Sequence, residues 1–355
     1  MEEQVDVLVV GAGQAGLAVG YYLKQAGISH LIVDKAIELG ESWKTRYDSL
    51  TLFTPRRYSS LPGWPMEGRK DGYPTKDEVA QYLQKYAERF SLRVRLNTEI
   101  IRLEREGQRF RCITESEEIK ARRVIVATGP FQQPSYPEFA REASEAVVQL
   151  HSSGYRNASQ LQTGSVLVVG GGNSGAQIAA ELAAAPEREV YLSAGHRMKV
   201  ISLEWAGRSV FWWLDKLGVL RADAHSFIGR RLRRMDDPIF GRSVPRLAEA
   251  GALRIKPRLA QIRGGEFYFA DGTRLRPDNV IWATGFRSDY SWLALPGAVD
   301  DSGRPVHDRG ISLAVPHLYY IGLPWQVNRA SALLAGVGRD AESVVNHLLS
   351  NPVSG

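Results

Sequence analysis

Two short apolar runs, each followed directly by a glycine-rich turn, stand out in the pattern of hydrophobic and polar positions along the chain. The first run spans Val7 to Val10 and the second spans Val166 to Val169. Continuous apolar runs of this length are typical of strands buried on both faces of a parallel sheet. Each turn leads into a helical pattern and then into another apolar run. The sequence therefore predicts two strand–turn–helix–strand units.

The rest of the chain predicts elements around these units. Residues 75–90 have helical periodicity, with Thr75 as N-cap and Glu78 three residues later as its capping-box partner. Four apolar side chains fall on one face of this helix: Val79, Tyr82, Leu83 and Tyr86. A final helix is predicted over residues 330–349, and the Pro-, Gly- and Arg-rich residues 40–74 are predicted to form a loop over a cofactor. Further strands are predicted at residues 92–96, 100–105, 110–113, 123–127, 280–283 and 318–321.

Both turns have the glycine spacing of a dinucleotide-binding unit. In such a turn the glycines let the backbone approach a pyrophosphate, and the helix N-terminus offers unpaired N–H groups to the phosphates. Because the motif occurs twice in the same strand–helix context, the sequence predicts two dinucleotides on one polypeptide. The candidate contacts are Gly11, Gly13, Gln14, Ala15 and Gly16 in the first motif and Gly170, Gly172, Asn173, Ser174 and Gly175 in the second.

The residue that ends the second strand of each unit distinguishes the two cofactors. Asp34, followed by Lys35, lies 34 − 11 = 23 residues after the first glycine of its motif, and a carboxylate there accepts hydrogen bonds from ribose hydroxyls. Ser193 lies 193 − 170 = 23 residues after its own first glycine and is followed by His196 and Arg197. A site without an acid and with a guanidinium suits a 2′-phosphate. We therefore predict FAD in the first unit and NADP in the second, with NADPH preferred and NADH also accepted.

Charge and composition exclude several function classes. The 355 residues carry a net charge of +6, but the basic residues are dispersed, and the densest cluster, Arg230 to Arg234, runs into Asp236 and Asp237. A solvated helix face accounts for that cluster, so we predict no nucleic-acid partner. Cys112 is the only cysteine, which excludes the two-cysteine disulfide reductases. The seven histidines show no metal-ligand spacing, so no metal site is predicted.

The hydropathy pattern also bears on location. No apolar stretch reaches the roughly 18 residues that a membrane-spanning helix needs. The chain starts with acidic residues and its first apolar run leads into a glycine motif, which is unlike a signal peptide. We therefore expect a cytoplasmic enzyme without a membrane partner.

Three further motifs give the chain a family resemblance. Two predicted strands end in Ala-Thr-Gly, at residues 127–129 and 283–285. A His-Ser-x-x-Tyr element, formed by His151 and Tyr155, lies just before the second glycine motif, and Trp43 ends a Gly-Glu-Ser-Trp element. Together these motifs resemble the short bacterial flavin-containing monooxygenases, class B flavoprotein monooxygenases with two dinucleotide-binding domains.

The resemblance implies an α/β fold with two Rossmann-like dinucleotide-binding domains, the NADP domain being inserted into a split FAD domain. The implied boundaries are 1–150 for the first part of the FAD domain, 151–287 for the NADP domain and 288–355 for the second part of the FAD domain. Trp43, Thr128, Gly129 and Gly322 become further cofactor-binding candidates. His151 and Tyr155 become catalytic candidates, with a structural role as the open alternative for each.

The chain departs from the family pattern at several places. Glu145 and Val147 replace the Phe and Gly that precede the family's His, and Glu41 replaces the second Gly of Gly-Gly-x-Trp. Larger members carry an Asn two residues before a Pro, beside the reactive flavin carbon. Counting back from Pro55 puts Phe53 at that place, although a one-residue slip in the alignment stays open. Because that Asn helps to hold the oxygenated flavin, Phe53 predicts inefficient oxygenation with intact cofactor binding.

The resemblance implies an FAD-dependent monooxygenase. Such an enzyme uses NAD(P)H and O2 to oxygenate soft nucleophiles (sulfides, amines) or ketones through a C4a-(hydro)peroxyflavin. The partners are then a small-molecule substrate and O2. The alternative is an NADPH-dependent flavin reductase that passes electrons to a protein or quinone acceptor, which Phe53 keeps open. The aromatic run from Phe211 to Leu214 is interpreted as core packing, a substrate entrance or the contact of a homodimer.

Overall fold

The computed structural model describes residues 2–185 and 187–353, and its strands form two large sheets and several small ones. The α-helices of this part, numbered in chain order, are α1 (Gln14–Gln25), α2 (Glu41–Lys44), α3 (Lys76–Arg89), α4 (Asn173–Ala183), α5 (Val210–Lys216), α6 (Phe227–Arg233), α7 (Ser243–Glu249) and α8 (Leu334–Ser350). The strands are β1 (Glu2–Val10), β2 (His30–Val33), β3 (Val94–Arg95), β4 (Arg102–Glu106), β5 (Arg109–Ile113), β6 (Glu118–Val126), β7 (Gln133–Pro134), β8 (Val148–His151), β9 (Val166–Val169), β10 (Val190–Ser193), β11 (Val200–Ile201), β12 (Glu204–Trp205), β13 (Arg208–Ser209), β14 (Ile239–Phe240), β15 (Leu253–Lys256), β16 (Leu259–Arg263), β17 (Glu266–Phe269), β18 (Arg274–Leu275), β19 (Asn279–Trp282), β20 (Phe286–Arg287), β21 (His307–Asp308), β22 (Ile311–Ser312) and β23 (Leu318–Tyr320).

The first sheet joins both ends of the chain. Its strand order is β21-β22-β23-β6-β1-β2-β3, and the neighbours from β23 to β3 pair in parallel. The β4–β5 hairpin adds to β6 in antiparallel fashion. Val7 and Val9 face α1, α3 and α8, whereas Leu8 and Val10 face the hairpin and residues 290–323. Because β23 pairs with β6, the chain returns to this sheet after it has built the second one.

The second sheet is wholly parallel. Its order is β15-β10-β9-β19-β8. Val166 and Val168 of β9 pack toward α4 and α7, and Leu167 and Val169 pack toward the antiparallel β16–β17–β18 meander. Burial on both faces explains why β9 reads as an unbroken apolar run in the sequence.

A two-stranded ribbon connects the two sheets. β7 pairs with β20 in antiparallel register, with Phe286 opposite Pro134 and Arg287 opposite Gln133. One crossing leads into the second unit and the other leads back. This arrangement is the expected α/β fold with one dinucleotide-binding unit inserted into another. The boundaries at 150/151 and 287/288 remain a proposal; β8, which starts at Val148, already pairs in the second sheet.

Most of the predicted elements are present. α3 has Thr75 as N-cap in a complete capping box with Glu78, and the four apolar side chains predicted on its inner face are buried. The predicted loop at residues 40–74 is interrupted by α2 and by a 3-10 turn at Arg56–Tyr58. The arginines of α6 are exposed, as the interpretation of a solvated face requires. Within the described ranges, no helix is both long and apolar enough to cross a membrane.

Candidate functional site

The first glycine motif forms a tight turn between β1 and α1. Gly11 has a φ of +111°, and a Cβ there would collide with the carbonyl oxygen of Ala127. A Cβ on Gly16 would collide with the carbonyl oxygen of Gly11, so this glycine lets the helix pack against the turn. A Cβ on Gly13 would meet nothing within 4 Å, and no side chain caps the helix there. The open space therefore lies at the N-terminus of α1, and this end of a helix attracts negatively charged groups.

The second glycine motif repeats this geometry. Gly170 has a φ of +125°, and a Cβ there would collide with the carbonyl oxygen of Ala283. A Cβ on Gly175 would collide with the Gly170 carbonyl, whereas one on Gly172 would meet nothing within 4 Å. Gly172 also starts α4 without a capping side chain. Each sheet thus presents the same open helix N-terminus at the carboxyl ends of its strands.

The acidic residue predicted to bind ribose also holds the first turn. Asp34 Oδ2 accepts a hydrogen bond from Ala12 N at 2.6 Å, and Oδ1 accepts one from Ala36 N at 2.9 Å. A carboxylate has about four acceptor sites, so both oxygens keep capacity for a ligand. We call each glycine turn, together with the uncapped helix N-terminus that follows it, a cradle; the first is formed by residues 11–16 and the second by residues 170–175. Asp34 therefore fixes the glycine turn and also lies beside the first cradle. Lys35 is exposed and forms an ion pair with Glu99 at 3.4 Å.

Ser193, which ends β10, is bonded to the segment that leads into β16. Its side chain is buried; Oγ donates to Pro257 O at 2.8 Å and accepts from Leu259 N at 3.0 Å. The hydroxyl is therefore engaged inside the protein, where it fixes the start of β16, and a cofactor contact at Ser193 stays a prediction. The end of β10 also carries no acidic side chain, which is the feature that led us to predict a 2′-phosphate here.

Basic side chains border the end of β10. His196 and Arg197 are exposed in the loop that follows this strand. Arg258, which the sequence analysis missed, is exposed beside them, since a Cβ on Gly195 would lie 3.8 Å from its side chain. Its position along the chain could have indicated this, because Arg258 comes two residues after the end of β15, the strand that pairs with β10.

Several other predicted residues meet at the edge of the first sheet. Gln14 Nε2 donates to Ala332 O at 2.9 Å, so α1 is tied to the segment before α8. A Cβ on Gly322 would lie 2.8 Å from Ala15 Cβ. Thr128 and Gly129 both accept hydrogen bonds from Gln132 Nε2, at 3.0 and 2.8 Å. By contrast, Trp43 packs against the hydrophobic core under α1 and α3.

In the second motif, Asn173 and Ser174 bond to neighbouring segments. Asn173 Nδ2 donates to Pro238 O and its Oδ1 accepts from Phe240 N, both at 3.0 Å. This amide therefore positions the segment at β14; its second N–H and second lone pair keep Asn173 a candidate cofactor contact. Ser174 forms a side-chain hydrogen bond with the buried Tyr47, whose hydroxyl donates to Gln177 Oε1 at 2.8 Å.

His151 and Tyr155 lie inside the protein. His151 Nδ1 is 2.9 Å from Ser153 Oγ and Nε2 is 2.9 Å from Gly285 O, so both ring nitrogens are engaged. Burial lowers the pKa of His151. Tyr155 is fully buried and donates to Glu181 Oε1 at 2.8 Å; burial, reinforced by that carboxylate, raises its pKa. These contacts favour the structural alternative for both residues.

Phe53 belongs to an aromatic cluster that bridges the two units. Its ring stacks on Phe240 at a centroid distance of 4.6 Å and on Phe211 at 5.9 Å. Phe211 is buried, whereas the other side chains of the run up to Leu214 are half-buried. A one-residue slip would put Thr54 at the family's Asn position, but the Thr54 hydroxyl is buried and bonded to Ser59 Oγ at 2.9 Å. In either alignment, no amide donor stands at this point.

Residues 8–201 of the chain match the pyridine nucleotide-disulphide oxidoreductase family. The chain belongs to this family. The family's name refers to disulphide chemistry, but this member has a single cysteine, Cys112, which is buried in β5. Burial raises the pKa of its thiol, and a thiol held protonated is a poor nucleophile. The sequence therefore offers no cysteine pair for an internal dithiol.

Individual relatives define the subgroup of this oxidoreductase. The chain is 52% identical to an uncharacterized CzcO-like oxidoreductase of Geobacillus kaustophilus, over 99% of this chain and 100% of that protein. Among solved structures, the flavin-containing monooxygenase of Stenotrophomonas maltophilia is 32% identical with a TM-score of 0.80, covering 98% of this chain and 99% of that one. The probable indole-3-pyruvate monooxygenase YUCCA3 of Arabidopsis thaliana is 29% identical over 84% of this chain and 77% of its own. The resemblance to short bacterial flavin-containing monooxygenases and the two-domain α/β fold are confirmed.

Proposed function

We propose that the protein binds FAD at the first glycine motif and NADPH at the second, and that it oxygenates a small organic substrate with O2. One observation carries the proposal. The two motifs have the same cradle geometry, but Asp34 stands beside the first, and Arg197 and Arg258 stand beside the second. The substrates we propose are soft nucleophiles such as sulfides and amines, or ketones.

The residues of the first cradle fit a flavin dinucleotide. The uncapped N-terminus of α1 and the open space at Gly13 suit the pyrophosphate, and Asp34 has acceptor capacity for a ribose. Gln14 and Gly322 border the same edge. When bound, the flavin supplies the redox chemistry, and the contribution of the chain is to bind and orient it.

The second cradle fits a phosphorylated nicotinamide coenzyme. The N-terminus of α4 at Gly172 suits the pyrophosphate. Arg197 and Arg258 can each donate charge-assisted hydrogen bonds to a 2′-phosphate, and no carboxylate ends β10 to repel it. Nothing at this position rejects a free 2′-hydroxyl, so NADH serves as a weaker donor.

The aromatic cluster supports water exclusion from the reaction. Phe53 joins the loop of the first unit to Phe211 and Phe240 of the second, and this makes an apolar wall between the two units. Excluding water protects reactive intermediates. Phe53 cannot donate a hydrogen bond, however, which favours a second candidate function: an NADPH-dependent flavin reductase that passes electrons to a protein or quinone acceptor.

One experiment separates the two candidates. The FAD-loaded protein is mixed with NADPH and methyl phenyl sulfide in air, and sulfoxide and hydrogen peroxide are measured per NADPH oxidised. Sulfoxide formation supports the oxygenase. Peroxide without any oxygenated product, together with fast reduction of a quinone, supports the reductase. If NADPH does not reduce the flavin, both assignments fail.

Location and assembly are further parts of the proposal. We place the enzyme in the cytoplasm, in keeping with a chain that can form no internal disulfide. We also propose a homodimer, because Trp205 and Leu217 are 64% and 72% exposed. Light scattering on the purified protein tests the dimer; a monomeric mass at all concentrations would refute it.

A further inference from the structure

Arg46 is a half-buried cation placed between the edges of the two sheets. Its guanidinium lies 5.0 Å from the ring centroid of Phe131 and 5.2 Å from that of Phe286. Phe131 comes two residues after the first Ala-Thr-Gly, and Phe286 directly follows the second. In open parallel sheets, ligands bind outside the carboxyl ends of the strands. Arg46 therefore lies between the two edges where ligands are expected.

The charge of Arg46 has no acidic partner in the described part of the chain. The one hydrogen bond of its side chain there runs from Nε to Ser42 O at 3.3 Å, which leaves both Nη atoms without a protein acceptor. Burial is the main effect that lowers the pKa of Arg46, and the nearby Arg156 lowers it further. A cation withdrawn from water costs free energy unless an anion compensates it.

The surroundings of Arg46 add positive charge and rigidity. Arg156 is half-buried, and its Nη1 donates to Ser153 O at 3.1 Å. The two phenyl rings hold the Arg46 guanidinium in place through cation–π contacts. A preorganised guanidinium loses little conformational entropy when it binds, and its Nη atoms match the paired oxygens of a carboxylate or phosphate.

We propose that Arg46, assisted by Arg156, binds the carboxylate or phosphate oxygens of a small molecule at the carboxyl edges of the two sheets. The carboxylate of an organic acid substrate is one source of such an anion, and the phosphates of the coenzyme are the other. The inference rests on the proposed function only in assigning the coenzyme to these edges. It requires no oxygen transfer, so Arg46-dependent binding in a protein that fails the oxygenation assay leaves it standing.

The test is calorimetric binding to the FAD-loaded protein. Phenylacetate is the carboxylate probe, phenylacetamide is its neutral counterpart, and NADP+ is the phosphate probe. Arg46→Met removes the charge and keeps an apolar stem. Arg46→Lys keeps the charge and loses the paired donors, and it serves as the second variant if Arg46→Met does not fold. Arg263→Met is the control, because Arg263 is exposed on β16.

A carboxylate site predicts that Arg46→Met weakens phenylacetate binding about tenfold to hundredfold, which is about 1.4–2.8 kcal/mol. Arg46→Lys weakens it less, and phenylacetamide and NADP+ bind as in the wild type. A phosphate site predicts the same loss for NADP+ instead. Either result supports the anion site and identifies its source. The inference is overturned if Arg46→Met binds both anions as tightly as Arg263→Met does. It is also overturned if NADP+ binding is unchanged and phenylacetamide loses as much affinity as phenylacetate does.

Discussion

Replacing Gly172 by valine should weaken coenzyme binding and leave the fold intact. The backbone at Gly172 has φ −82° and ψ 179°, an extended conformation that valine adopts readily, and a Cβ there meets no protein atom within 4 Å. The added methyl groups project into the space at the N-terminus of α4, where the coenzyme pyrophosphate is proposed to bind. The variant therefore separates binding from stability.

The magnitude follows from the hydrogen bonds that the pyrophosphate loses. A hydrogen bond to a charged group contributes about 1.5–3 kcal/mol. At about 1.4 kcal/mol per tenfold change, the loss of one such bond raises the Kd for NADPH about tenfold to hundredfold. The FAD content and the Tm should stay close to wild type, because the first motif lies in the other sheet.

Anaerobic stopped-flow reduction of the bound flavin measures this Kd from the saturation of the rate with NADPH. Gly175→Ala is the matched control: a Cβ there collides with the Gly170 carbonyl, so this variant should lose stability rather than affinity alone. A wild-type Kd in Gly172→Val would show that the pyrophosphate does not approach this turn, and the assignment of the second cradle would fall.

Four further results are expected. Gly13→Val should give folded but colourless protein, since its Cβ meets no protein atom within 4 Å; full flavin retention would contradict the first cradle. Arg197→Ala and Arg258→Ala should each raise the KM for NADPH about tenfold to hundredfold, because each removes a charge-assisted hydrogen bond, and leave the KM for NADH unchanged. An unchanged ratio of the two KM values in either variant would show that this arginine does not bind the 2′-phosphate. The wild type should release much of its reducing equivalents as hydrogen peroxide, since Phe53 offers no donor; near-stoichiometric sulfoxide formation would contradict this. Burial raises the pKa of Asp340 from 3.8 to about 6, so the folded state binds this proton more tightly than the unfolded state. The stability that this proton contributes is complete below about pH 4 and is lost as the pH rises through 6. In urea unfolding, Asp340→Asn should therefore raise the free energy of unfolding over that of the wild type by up to about 3 kcal/mol at pH 8 and by little at pH 4. An equal difference at both pH values would refute this expectation.

The glycine motifs could be predicted from the sequence because their geometry is local. Gly11 and Gly170 have a positive φ, and a Cβ on either would collide with the carbonyl oxygen at the end of the neighbouring strand. The spacing of the glycines in each motif therefore predicts the turn. The buried strands could be predicted for a similar reason: burial on both faces leaves an unbroken apolar run. The fold class and the two cradles could therefore be predicted from these features.

The roles of polar side chains around the cradles could not be predicted in this way. Ser193 bonds to backbone atoms 64 and 66 residues further along the chain, and Asn173 bonds to backbone atoms 65 and 67 residues further along. Nothing near these residues in the sequence indicates those partners. Arg46 is a similar case, because Phe131 and Phe286 lie far from it along the chain and meet it only when the two sheets assemble.

The ribbon formed by β7 and β20 has a consequence for the modularity of this enzyme. Because Pro134 lies opposite Phe286, the second unit leaves and rejoins the first at points about one strand spacing, roughly 5 Å, apart. An inserted unit whose two ends lie close together can be replaced as a whole. Residues 135–285 could be exchanged for the corresponding unit of a relative without altering the path of the chain through the first sheet. Because the proposed coenzyme site lies within that segment, coenzyme choice could then diverge between relatives independently of flavin binding.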